Sequence, residues 1–303
     1  MKIYIVGSGG VGGYFGGLLA KAGNDVTFVA RGEHYQAIKD NGLIVKSVAG
    51  DFEIKSAQVI ENISKIVNPD LVIFTVKTYD TEDTAKELAP VVKENTVVIT
   101  FQNGVDNDNQ IKKQISDAQV YPGVAYVIST RVKPGVIEQA GGLRKLIFGD
   151  RNNSDNSRLK EIEKLMKDAG IDATASDNIT RDLWKKFMFI VAFSGVTAIC
   201  RASIGKVLSD PLTKSPYERC LKEAIVVAKA MKVNVANNAF ESIMTISGNT
   251  APDSKSSLLV DIENNRKNEI ETLNGALVRF AKERETDVPI NELIYGAIKL
   301  LGK

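Results

Sequence analysis

The first half of the chain alternates short runs of apolar, β-branched residues with helix-like segments, the texture of a parallel sheet covered by helices. Lys2 to Val6 predicts the first strand and Val11 to Ala22 the first helix. Asp25 to Ala30, rich in Val, Thr and Phe, predicts a second strand. Asp70 to Val76 is nearly all apolar, as a strand buried on both faces must be. A helix over Thr81–Val92 and a strand over Val97–Phe101 follow. From Gln119 to Gly149, runs of Val, Ile and Tyr are broken by Pro-Gly and Gly-Gly, which predicts antiparallel hairpins closing the sheet. A helix over Asp155–Ala169 and a short run over Ile171–Thr174 complete this part.

After Asp177 the strand pattern stops. Asp182–Cys200, Tyr217–Met231, Asn268–Arg284 and Ile290–Leu301 carry helical apolar spacing, punctuated by Pro211, Pro216, Pro252 and Pro289. The pattern therefore predicts an α/β domain over residues 1–177 and an all-α domain over 178–303. The length of 303 residues agrees, being too great for one ordinary core.

Charge narrows the partners. Lys and Arg total 39 against 37 Asp and Glu, which argues against nucleic acid or an anionic membrane as the main partner. Cys200 and Cys220 read as free core thiols in a reducing compartment, and the single histidine, His34, as a surface residue. No metal site is expected from so few ligands. The N-terminal apolar stretch is too short and glycine-rich for a signal peptide, and no later segment reads as the roughly 20 apolar residues that span a bilayer. A cytoplasmic protein is expected. Helical faces in the second half leave both a monomer and a homodimer open, with the dimer preferred.

The chemistry begins at Gly7-Ser8-Gly9-Gly10-Val11-Gly12, which fits G-x-G-x-x-G between a strand and a helix. Gly7 permits a tight turn, Gly9 lets backbone approach a pyrophosphate, and Gly12 allows close helix–strand packing. The first domain is thus expected to be a Rossmann-type dinucleotide-binding domain. Where NAD enzymes place a carboxylate on the ribose 2′-hydroxyl, the second strand here ends in Arg31. A guanidinium suits a 2′-phosphate, so NADP(H) is preferred, although Glu33 stands nearby and a solvated loop cation is the alternative for Arg31.

Lys77 follows the buried strand, and Asn103 of Phe101-Gln102-Asn103-Gly104 follows the next. Ligands of open α/β sheets gather at such strand ends, where these side chains can meet cofactor or substrate; solvated turn residues are the alternative. In Arg181-Asp182-Leu183-Trp184-Lys185-Lys186-Phe187 a lysine sits inside a run of large apolar groups. On a helix Lys186, Ile190 and Ser194 share one face, with Lys185 about 100° away. A desolvated lysine is a usable proton donor near neutral pH, whereas a snorkelling lysine explains the same spacing.

Further on stand Ser256-Ser257-Leu258-Leu259-Val260-Asp261, Arg266-Lys267-Asn268-Glu269-Ile270 and Leu273-Asn274-Gly275. With the glycine motif, Arg31, Lys77, Asn103-Gly104 and Leu183-Trp184-Lys185-Lys186, they make a set that resembles the ketopantoate reductases (2-dehydropantoate 2-reductases) along nearly the whole chain. The resemblance implies NADPH-dependent reduction of 2-dehydropantoate to pantoate, in pantothenate and coenzyme A biosynthesis. It implies that Lys186 is the general acid and that Glu269 binds substrate and orients the lysine. Ser257 and Asn103 match substrate-binding positions, Lys77 a residue near nicotinamide and substrate carboxylate, and Arg31 the 2′-phosphate ligand. Asp261 matches a recurrent acidic position, with a cap or ion-pair role as the alternative. The family typically carries substrate-binding asparagines where this chain has Ile190 and Ser194. Another 2-oxo acid with a more apolar tail is therefore an open alternative. A non-catalytic NADP-sensing regulator is the alternative from another class, disfavoured because it has no need of both Lys186 and Glu269.

Overall fold

The computed structural model describes residues 1–301 and divides into two compact units. The first comprises Met1–Gln102 and Asp106–Ile179; the second comprises Asn103–Val105 and the chain from Thr180 onward.

In the first unit, β1 (Lys2–Val6) pairs in parallel with β2 (Asp25–Val29) on one side. On the other side lie β6 (Leu71–Phe74), β7 (Val97–Thr100) and the start of β8 (Gln119–Lys133), also parallel. Side chains alternate across these strands: Ile3 and Ile5 enter one core, Tyr4 and Val6 the other. Helices α1 (Gly10–Lys21) and α5 (Ser157–Asp168) cover the first core with Phe15, Leu19, Ile162 and Met166. Helices α3 (Thr81–Leu88) and α4 (Asn107–Lys112) cover the second with Ala85, Leu88 and Ile111. Each large apolar side chain so buried contributes roughly 2 kcal/mol. Strand order reverses at β1, whose neighbours β2 and β6 follow it on opposite sides. The carboxyl ends of β1 and β6 thus flank the position where such sheets bind ligands.

The Gln119–Gly149 region forms one long hairpin, β8 with β9 (Val136–Phe148). It does not close the sheet. Beyond β9 lie β3 (Leu43–Ser47), parallel to it, and β4 (Phe52–Ile54), while β10 (Asp172–Ala175) also pairs with β9. The opposite edge is β5 (Gln58–Ile60) beside β2. Strand β10 answers the short run expected over Ile171–Thr174, whereas β3, β4, β5 and α2 (Gly32–Asn41) fall in a stretch for which the apolar spacing predicts no element. Helix α2 buries only His34 and Ile38, too few positions to set a period.

The second unit is helical. It contains α6 (Ile179–Cys200, its first residue counted with the first unit), α7 (Ile204–Ser209) and α8 (Pro211–Ala230). It continues with α9 (Ala239–Asn249), α10 (Ser257–Glu263), α11 (Asn274–Glu283) and α12 (Pro289–Leu301). Pro216 does not end a segment as its sequence context suggests but lies within α8. One intrahelical bond is lost there, and the carbonyl it leaves belongs to Leu212, an exposed first-turn residue. Helix α6 has 22 residues and the composition of a membrane span, contrary to the expectation that no segment reaches that length. Its lysines interrupt the apolar run in the sequence, and 61% of its most apolar window is buried inside the protein, as in a core helix.

Two single-residue expectations also change. Cys220 is a buried thiol, but Cys200, at the last residue of α6, is exposed. His34 is buried, at 4% exposure, because it bridges two backbone segments.

Candidate functional site

The glycine loop is shaped by close backbone approach. Gly7 turns at φ +100°, and a Cβ there would stand 2.5 Å from the Val76 amide nitrogen beyond β6. A Cβ on Gly12 would strike the Gly7 carbonyl and Thr75 Oγ1, and one on Gly10 the Ser129 carbonyl of β8. Gly9 differs: a Cβ there meets nothing within 4 Å. Open space thus stands over the entry to α1, whose N-terminus has no side-chain cap and no acidic residue in its first turn. That is the arrangement in which helix amides receive an anion. Ser8 is buried, its hydroxyl donating to the Val29 carbonyl at 2.9 Å, so its contribution to a ligand is confined to backbone; Val11 is half-buried on the first turn. This bond ties the loop to the end of β2, where Arg31 forms the N-cap of α2. The Arg31 side chain is 63% exposed and meets Glu87 at 3.1 Å, a solvated pair that a stronger anion can displace.

Lys77 is half-buried and opens a short 3-10 turn after β6. The preceding segment is fixed by Gln102, which the sequence reading passed over. Gln102 is 8% exposed, donates to the Val76 carbonyl (2.9 Å) and Thr81 Oγ1 (2.8 Å), and accepts from Thr100 Oγ1 (2.9 Å). A large polar amide two residues beyond the end of the buried strand β7, after Phe101, was the available signal.

In the second unit, α6 presents Lys186, Ile190 and Ser194 on one face, with Ile190 and Ser194 buried and Lys185 exposed. Lys186 Nζ donates to Asn103 Oδ1 at 2.7 Å. Burial pulls the lysine pKa down from 10.5 to about 8, while the Glu269 carboxylate opposes that fall. Glu269 is half-buried at the N-cap of a 3-10 turn over Ile270–Thr272. Lys186, Asn103 and Glu269 therefore act on one another: an amide orients the amine, and a carboxylate favours its charged form. This grouping can deliver a proton near neutral pH.

Ser257 is the exposed first residue of α10, and Asp261 is buried further along it. The serine that reaches α6 is Ser256, which caps α10 through the Leu259 amide (3.1 Å) and meets Thr197 Oγ1 at 2.9 Å. A buried amide pair braces α6 from the other side. Asn274 donates to Asn291 Oδ1 (2.9 Å) and sits so close to Gly195 that a Cβ there would lie 2.7 Å from its Nδ2. Asn291 donates to Glu223 (2.7 Å) and accepts from the Cys220 thiol (3.3 Å). Among the described residues no group of His, Cys, Asp or Glu is arranged to hold a metal ion.

A doubly wound sheet with an open glycine loop, joined to a helical unit carrying a desolvated lysine, defines a nucleotide-binding α/β protein equipped for proton transfer. Residues 3–153 match the family model described as Ketopantoate reductase PanE/ApbA, and residues 178–302 match its C-terminal companion. The chain belongs to the ketopantoate reductase family and shares its oxidoreductase fold. It is 27% identical to the uncharacterized oxidoreductase YkpB of Bacillus subtilis over 99% of this chain and 98% of that one. It is 29% identical to the 2-dehydropantoate 2-reductase of Archaeoglobus fulgidus, covering 98% and 97% of the two chains. The crystal structure of a PanE/ApbA family ketopantoate reductase from Ralstonia eutropha JMP134 superposes with a TM-score of 0.92 at 28% identity, covering 99% and 98%.

Proposed function

We propose that this chain reduces the keto group of 2-dehydropantoate, giving pantoate on the route to pantothenate and coenzyme A, with NADPH as reductant. In this reading residues 1–177 form the nucleotide domain and 178–303 the helical catalytic domain. The observation that carries it is Lys186, hydrogen-bonded to Asn103 at 2.7 Å and brought to a pKa of about 8.

The residues present fit a dinucleotide. The amides of the Gly7–Gly12 loop would hold the pyrophosphate, with Gly9 leaving open the space that a side chain would fill. Arg31 would exchange its exposed Glu87 partner for the more highly charged 2′-phosphate. When bound, the nicotinamide supplies the hydride. Lys186 donates its proton to the ketone oxygen as negative charge develops there, a contribution of about 10²–10⁴ in rate. Asn103 orients the amine, Glu269 keeps it charged and hydrogen-bonds substrate, Lys77 pairs with the substrate carboxylate, and Ser257 binds the substrate's polar end.

One observation favours a second substrate. Ile190, one turn beyond Lys186, is 8% exposed and offers no hydrogen bond, and Ser194 a turn further is short. A pocket that lacks a donor for a substrate hydroxyl discriminates weakly in its favour. A 2-oxo acid with an apolar tail is the alternative. NADPH oxidation over a panel of 2-oxo acids tests both: turnover is expected, with 2-dehydropantoate at the top, and a higher kcat/KM for an unhydroxylated branched acid selects the alternative. No turnover of any 2-oxo acid by folded enzyme that binds NADPH contradicts the proposed function.

A further inference from the structure

The only histidine of the chain sits beneath the glycine loop rather than on the surface. Two backbone groups decide its protonation state. The Gly135 amide can only donate, and it approaches Nδ1 at 2.9 Å; the Ser8 carbonyl can only accept, and it lies 2.7 Å from Nε2. His34 is therefore the neutral tautomer protonated on Nε2, with both ring nitrogens satisfied by main chain.

The bond to Ser8 has a consequence for its neighbour. In a trans peptide the carbonyl and the following N–H point in opposite directions. A Ser8 carbonyl turned to the imidazole therefore turns the Gly9 N–H the other way. Gly9 is also the residue of the loop over which space is open. Glycine at position 9 carries no Cβ to resist rotation of that peptide, so the reversed state, with a carbonyl oxygen facing any anion, has little steric penalty of its own. The imidazole supplies the preference. It also joins three pieces of the first unit: the loop through Ser8, α2 through its own backbone, and the β8–β9 turn through Gly135.

We propose that His34 is a positioning residue for the cofactor: by holding the Ser8 carbonyl it keeps the Gly9 amide aimed at a dinucleotide pyrophosphate. This rests on the cofactor reading above. His34 does not touch the reacting atoms, so its loss acts on cofactor affinity and leaves the chemical step alone. Glutamine offers an amide N–H and an oxygen acceptor in roughly the same reach and serves as the conservative variant; leucine fills the space without either.

The test is NADPH titration by fluorescence on the wild-type protein, His34→Leu and His34→Gln. His34→Leu is expected to raise the NADPH Kd about 10-fold, the scale of losing buried hydrogen bonds. His34→Gln should recover most of that affinity, and kcat at saturating NADPH and the KM for the 2-oxo acid should remain as in the wild type. Wild-type affinity in folded His34→Leu, or a loss confined to kcat, overturns the proposal. Absence of NADPH binding by the wild-type protein overturns the cofactor reading and this inference with it. Because His34 is unique, its imidazole ¹⁵N resonances provide a second measurement on the unmodified chain. The proposal expects the Nε2–H tautomer, with shifts that move on NADPH addition; a ring that averages its tautomers and ignores NADPH contradicts it.

Discussion

Raising the pH perturbs Lys186 directly. A fall in its pKa from 10.5 to about 8 corresponds to about 3 kcal/mol in favour of the neutral amine, with burial as the main cause and Glu269 opposing it. The sign for stability follows from the folded value lying below the unfolded one. The penalty on the folded state is complete below about pH 8 and fades as the pH rises towards 10.5. Catalysis runs the other way, because reduction needs the ammonium. The kcat/KM for 2-oxo acid reduction should be level at lower pH and fall about tenfold per pH unit above about 8. Glu269→Gln removes the charge that sustains the ammonium, so the break should move to lower pH by about one unit. The assay is NADPH oxidation from pH 6 to 10 at limiting 2-oxo acid, with wild type and Glu269→Gln in the same buffers. A break near the ordinary lysine value, or an upward move in Glu269→Gln, would refute the reasoning.

Arg31→Ala should lower the preference for NADPH over NADH by about tenfold or more, read as the ratio of kcat/KM values, since a charge-assisted pair to the 2′-phosphate is lost. The same change should leave stability within about 0.5 kcal/mol, because the Arg31–Glu87 pair is exposed. Asn291→Leu should lower stability by about 1–3 kcal/mol in urea denaturation, since the buried Asn274 amide loses its Asn291 acceptor and Glu223 loses one donor while keeping the Ile290 and Asn291 backbone amides.

What could be read from the sequence was what short-range pattern encodes. The β1–loop–α1 unit was legible because its glycines sit at fixed spacing between a strand and a helix: Gly7 answers close contact with Val76 and Gly12 with Thr75, while Gly9 faces open space. The Lys186–Ile190–Ser194 face was legible because helical period alone puts those residues together. The partner of Lys186 was not, since Asn103 lies 83 positions away. His34 failed for the same reason: its partners Ser8 and Gly135 are 26 and 101 positions distant, and a histidine on a mostly polar helix carries no local mark of burial. Edge strands such as β4 and β5, three residues each, are too short to establish alternation. Helix α9 buries only Ala239, Ile243 and Ser247, and it too leaves no strong period.

The central claim is that the Lys186 ammonium protonates the ketone oxygen, and Lys186→Ala measured in two ways addresses it most directly. Turnover of the best 2-oxo acid should fall about 10²–10⁴-fold. The NADPH Kd, titrated on the same preparation, should stay within a factor of about two because Lys186 is not among the groups assigned to the nucleotide. Wild-type turnover in a folded Lys186→Ala enzyme would contradict the account.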